Sequence, residues 1–174
     1  MKTNRKTKLM KAVGVLLVLA LTISSVGVYG KVAEAKTKTS AKLKKACKAA
    51  VKKTGNAKRL DPEMSTSKPS RCNVLSSYYE KKVSSMYYMT NGDAFEVCVA
   101  KAKTTNYAKK ICKNFAKHKK MKYSIRYDYP LEEVKVIKNT VYGRKGKYVW
   151  YISMSTSKKK NKAGEAAIKK SLKI

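Results

Sequence analysis

Three observations predict an α+β fold built on an antiparallel sheet. Asn91-Gly92 separates two strand-like runs in VSSMYYMTNGDAFEVCVAKA, a pairing that favours a tight hairpin. A second pair of runs, in NTVYGRKGKYVWYISM, turns around Arg144–Lys147. Stretches of helical periodicity precede, separate and follow the two hairpins. Hairpins interrupted by helices imply an antiparallel sheet of two hairpins with helices packed mainly on one side, in the order α-ββ-α-α-ββ-α.

The first helix falls within residues 36–56, KTKTSAKLKKACKAAVKKTGN. Leu43, Ala46, Cys47, Ala50 and Val51 recur at helical spacing, Ser40 can cap the start, and Gly55 marks the stop. Eight lysines and no acid make its other face strongly basic. Residues 57–82 carry Pro62, Pro69 and many Ser and Thr without a lasting period, and read as an irregular connection. The α+β domain proper then spans 83–174. After the first hairpin, Thr104 or Thr105 caps a helix reaching about Lys119. Pro130 suits a first helical turn, with Glu132 and Glu133 at the positive end of the helix dipole. In the second hairpin Tyr148, Trp150, Ile152 and Met154 share one face. SKKKNK reads as a solvated linker, and Ala163 to Ile174 as a helix with Ala167, Ile168, Leu172 and Ile174 inward.

Ahead of all this, MKTNRKTKLMK carries five positive residues, an uncharged run follows from Ala12 to Gly30, and Ala33-Glu34-Ala35 presents small residues at an A-x-A site. Residues 1–35 therefore read as a secretory signal cut between Ala35 and Lys36. The competing reading is an uncleaved anchor, which would also leave the remainder outside the cytoplasm. No cysteine lies near the cleavage point, which argues against a lipid anchor.

The full chain of 174 residues has a formal charge of +32. Residues 1–35 hold six Lys/Arg and one acid, so the remaining 139 residues keep 36 basic and nine acidic side chains, a charge of +27. A field of that size draws a protein towards polyanions. Lysine supplies nearly all of it, since only Arg59, Arg71, Arg126 and Arg144 remain after cleavage. Lysine is a hydrated point charge, so the basicity reads as diffuse attraction and not as sequence-specific base readout.

Cys47, Cys72, Cys98 and Cys112 all survive cleavage, and outside the cytoplasm an even cysteine count implies disulfides. Their spacing lacks the C-x-x-C pairs of zinc or thioredoxin-like sites. Three connectivities are open; packing of the Cys112 helix over the small-residue face of the Cys98 strand favours Cys98–Cys112 with Cys47–Cys72.

Catalytic signatures are missing: no G-x-S-x-G, H-E-x-x-H, P-loop or dinucleotide fingerprint occurs. His118, the sole histidine, lies among lysines in AKHKKMK with no carboxylate nearby in sequence, and reads as a surface residue at a helix end. Gly143 and Gly146 in GRKGK read as hairpin turn residues. No cofactor or metal is called for. If one exposed aromatic binding strip exists, Tyr148, Trp150 and Lys147 form it.

From about Ser85 to Ser155, three stretches carry a likeness: AFEVCVAKAKT, YPLEEVKVIKNTVY and GKYVWYISMS. Tyr129-Pro130 followed by Glu132-Glu133, then Ile137, Asn139 and Val141, is its most specific part. In these the chain resembles a family filed as domain of unknown function 4358, small exported proteins of Gram-positive bacteria. The resemblance implies an α+β fold and an exported location, and brings no catalytic residues. The expectation is a non-enzymatic secreted basic protein held electrostatically at anionic cell-wall polymer, through Lys42, Lys44, Lys45, Lys48, Lys52, Lys53 and the Lys147–Trp150 strip. Extracellular nucleic-acid binding and membrane-surface activity of residues 36–56 are the alternatives.

Overall fold

The computed structural model describes residues 38–174; the expected signal segment and its cleavage point at Ala35–Lys36 lie outside them. Helix α1 covers 38–54, followed by β1 (Asp61–Thr66), α2 (Ser77–Glu80), β2 (Val83–Thr90), β3 (Glu96–Ala102), α3 (Thr105–Ser124), α4 (Leu131–Lys138), β4 (Val141–Lys145), β5 (Tyr148–Ser153) and α5 (Lys158–Leu172). All strand pairs are antiparallel, in the order β1-β2-β3-β5-β4. The fold is α+β, with both expected hairpins present and β3 at the centre.

Side-chain alternation along β3 divides the interior in two. Val97 and Val99 face one way, joining Trp150, Ile152 and Met154 under the apolar residues of α1 (Leu43, Ala46, Cys47, Ala50, Val51), of α4 (Val136, Ile137) and of α5 (Ile168, Leu172). Cys98, Ala100 and Ala102 face the other way, under Ala108, Ile111 and Phe115 of α3 and the segment Cys72–Leu75. Helices thus gather mainly on one side, while α3 covers the opposite face. Among the described residues no helix is long and apolar enough to cross a membrane.

Several local expectations need correcting. The stretch 57–82 is not merely irregular: Asp61–Thr66 adds a fifth strand at the sheet edge, pairing Asp61 with Thr90 and Thr66 with Tyr88 across a register shift. Ser40 lies inside α1, not at its cap. The Asn91-Gly92 hairpin is longer than two residues, because Asn91 Oδ1 accepts from Asp93 N (3.0 Å) and Phe95 N (3.3 Å) and lets Ala94 and Phe95 turn into the core. Helix α3 runs a turn past Lys119; Thr104 is its cap, accepting from Tyr107 N. The lysines of SKKKNK are not a linker but the opening of α5, capped by Ser157. Gly146 (φ +56) makes the second turn, whereas Gly143 lies within β4 opposite Trp150.

Candidate anion-binding face

Helices α1 and α5 lie side by side, and a glycine brings them together. A Cβ on Gly164 would stand 3.3 Å from both Ala50 O and Thr54 Cγ2. Lys42 Nζ donates to Leu172 O (3.0 Å), tying the start of α1 to the carbonyl end of α5. Between the helices runs an open groove of about 540 Å³, lined by Ala49, Lys52 and Lys53 of α1 and by Ala163, Ala166, Ala167, Lys170 and Ser171 of α5. Helix α5 holds a single acid, Glu165, whose Oε1 is 2.8 Å from Lys169 Nζ. Lysines whose hydrated heads line an alanine-rich groove attract an extended anion without the rigid fork that arginine would impose.

The expected contact residues divide on this geometry. Lys45, Lys48, Lys52 and Lys53 are exposed on α1. Lys44 is exposed too, with Nζ 5.6 Å from the Tyr87 ring centroid. Lys42 is engaged by the α5 carbonyl and so contributes to packing. The aromatic strip does not exist as an exposed surface. Trp150 is 1% exposed, closed between Gly143 of β4 and Lys169 of α5, while Tyr148 is half-buried with Lys101 Nζ above its ring. Lys147 is exposed but sits in the β4–β5 turn. The reason is topological: the face shared by Tyr148, Trp150, Ile152 and Met154 is the one α5 covers.

A polar cluster outside the expectations above lies on the other face. Glu96 is fully buried at the start of β3. Its Oε1 accepts from Lys122 and lies 3.4 Å from His118 Nε2; its Oε2 accepts from Tyr88 Oη at 2.7 Å. Lys122 also donates to Asp93 O. Burial alone would push the Glu96 carboxyl up, but the His118 hydrogen bond and the Lys122 charge together outweigh it and hold the group below its ordinary value. Burial beside this carboxylate pushes the Tyr88 and Tyr151 hydroxyls well up. His118 is accordingly not a surface residue: its side chain is 8% exposed and its ring stands edge-on to Tyr151, 5.5 Å between centroids. Both oxygens of Glu96 are consumed by internal partners, which makes the cluster a buried ion pair that positions α3 on the sheet.

All four cysteines are free. Cys98 Sγ lies 3.7 Å from Cys72 Sγ, so its neighbour is Cys72 and not Cys112. Cys47 belongs to the core on the far side of the sheet, its Sγ donating to Tyr87 O at 3.3 Å, which rules against Cys47–Cys72. Among the described residues no group of three or more His, Cys, Asp or Glu is arranged to hold a metal ion.

Fold and site together define a small α+β protein whose outer helices are sheathed in lysine. The chain matches no family model, no curated protein and no solved structure.

Proposed function

We propose that this is a non-catalytic, exported basic protein that holds to anionic polymer of a Gram-positive cell envelope, with the α1–α5 face as its contact. The observation that carries the reading is the groove itself. Lys52 and Lys53 from α1 and Lys170 from α5 line it together with four alanines, and the only acid of α5, Glu165, is paired with Lys169. The secretory leader read at residues 1–35 supports the location. Phosphodiester-linked polymers such as teichoic acids supply the matching charge.

Two alternatives lose ground. Single-strand nucleic-acid binding draws much of its strength from bases stacked on exposed aromatics beside a basic groove; Trp150 is closed into the core, and the exposed Tyr78, Tyr127 and Tyr142 lie outside α1 and α5. Insertion of α1 into a membrane surface would expose Leu43 and Val51, which are instead core residues, and the apolar lining of the groove is alanine methyls.

The test separates place from net charge. Lys52→Glu, Lys53→Glu and Lys170→Glu together remove six charge units, and so do Lys109→Glu, Lys113→Glu and Lys117→Glu on α3. Binding to purified walls, with and without their anionic polymer, is measured at rising salt. The α1–α5 triple variant is expected to elute at markedly lower salt than the α3 triple variant. Equal loss in both, or unchanged binding to stripped walls, refutes the assignment.

A further inference from the structure

Cys72 and Cys98 are 3% and 0% exposed, share one hydrophobic cluster, and hold their sulfurs 3.7 Å apart across 26 positions of sequence. Cys98 lies in the central strand, where its backbone is fixed by pairing with Tyr88 and Tyr151. Cys72 ends a short 3-10 turn, Pro69–Arg71, outside the strand ladder, and bond formation brings its sulfur from 3.7 Å to about 2 Å from that of Cys98. We propose that Cys72 and Cys98 are oxidised to the chain's single disulfide, with Cys47 and Cys112 left as thiols.

Elimination supports the pairing as well as proximity does. The sheet stands between Cys47 and the other two sulfurs' core. Helix α3 keeps Cys112 away: Asn114 Nδ2 donates to Val74 O at 2.8 Å, placing the Asn114 flank of α3 over the Cys72–Leu75 segment. Cys112 lies about 200° round the helix from Asn114, on the flank that feels Arg144 of β4. It is half-buried there, away from both partners.

The bond staples residues 57–82 to the middle of the sheet. That stretch has the fewest ladder contacts in the fold, since β1 pairs only through Asp61 and Thr66. The oxidant is a small disulfide or a disulfide-donating thiol oxidoreductase. One protein thiolate displaces a thiol from it, giving a mixed disulfide. The second protein thiolate then displaces the remaining thiol, so the two electrons and two protons of the cysteines end on the two released thiols. Both sulfurs are closed off once α3 and the 72–75 segment are docked, so the exchange takes place during folding. The inference rests on the exported reading for the oxidant found in the cell; the experiment supplies its own, so its failure leaves polymer binding untouched.

Full-length protein is refolded in oxidised and reduced glutathione, alkylated, digested without reduction and mapped by mass spectrometry. One Cys72–Cys98 bridge with alkyl groups on Cys47 and Cys112 is the expected result. Cys72→Ser and Cys98→Ala each abolish the bridge, and Cys47→Ala with Cys112→Ser keeps it. Closing a loop of 26 residues should slow proteolysis that proceeds through global unfolding by roughly 300-fold. A bridge to Cys47 or Cys112, glutathione adducts on Cys72 and Cys98 without a bridge, or four alkylated cysteines overturns the proposal.

Discussion

Replacing Lys122 by methionine isolates the ion pair that ties α3 to the sheet. Methionine keeps the length of the stem and its helix propensity, and removes only the charge and its donors. The Glu96 carboxylate then remains fully buried with Tyr88 and His118 as its remaining partners. Breaking a buried pair from one side costs about 3–5 kcal/mol, because the surviving charge keeps its desolvation penalty. For a domain of this length that is a large share of a total stability of about 5–15 kcal/mol, and a fall in Tm of roughly 10–15 °C. The double variant Lys122→Met with Glu96→Gln removes both charges and is expected to recover about half of the loss or more.

The pH dependence gives an independent sign. In the wild type the folded Glu96 carboxyl sits below the ordinary 4.5, so the native state binds fewer protons than the unfolded one. Its contribution to stability is full above that ordinary value and is lost as pH falls through the depressed one. In Lys122→Met the Lys122 charge and hydrogen bond no longer oppose burial, and the His118 hydrogen bond remains, so the carboxyl should move up from its wild-type position and the loss of stability on acidification should weaken. Urea titrations followed by far-ultraviolet circular dichroism at several pH values measure both effects. A loss under about 1 kcal/mol that adds simply to that of Glu96→Gln would mean that the pair is solvated, and the reasoning fails.

Gly164 and Gly143 report on two other contacts. Gly164→Ala should change stability by less than about 1 kcal/mol, since the gain in helix propensity offsets a tight 3.3 Å approach; Gly164→Val should cost about 1–3 kcal/mol and weaken wall binding by prising α5 from α1. Unchanged stability in the valine variant would show that the helices do not touch there. In β4, a Cβ on Gly143 would come within 2.8 Å of the Trp150 ring, so Gly143→Val should cost about 1–3 kcal/mol despite valine's preference for strands. Trp150 is the only tryptophan, and its emission should move to the red as the ring is displaced; an unshifted spectrum contradicts the packing.

How much of this was readable beforehand depends on the kind of signal. Alternation and turn residues located both hairpins, and the inward stripe of α1 came out residue for residue, because period and burial are local properties. Strand β1 was not readable: DPEMST has a proline and no alternation, and only its position at the sheet edge makes that tolerable. The lysines that open α5 looked like a linker because charge suggested solvent, yet lysine is a good helix former and Ser157 supplies the cap. Cysteine pairing failed for a different reason. Helix α3 does cover the Cys98 face, as expected, but Cys112 is rotated off the contact stripe by one residue's turn from Ile111.

The buried pair is the instructive miss, since its signal was present in two places. Ala108, Ile111, Phe115, His118 and Lys122 follow spacings of three, four, three and four, so the stripe that enters the core continues straight into the histidine and the lysine. In β3, Glu96 interrupts an otherwise apolar run from Ala94 to Ala100, on the same face as Cys98 and Ala100. A carboxylate there must find a cation, and His118 and Lys122 are the basic groups that continue this inward stripe of α3. Reading each half by itself assigned His118 to solvent and Glu96 to no role. Reading them together would have placed α3 over β3 with its axis direction fixed, because the polar end of the stripe has to meet the start of the strand.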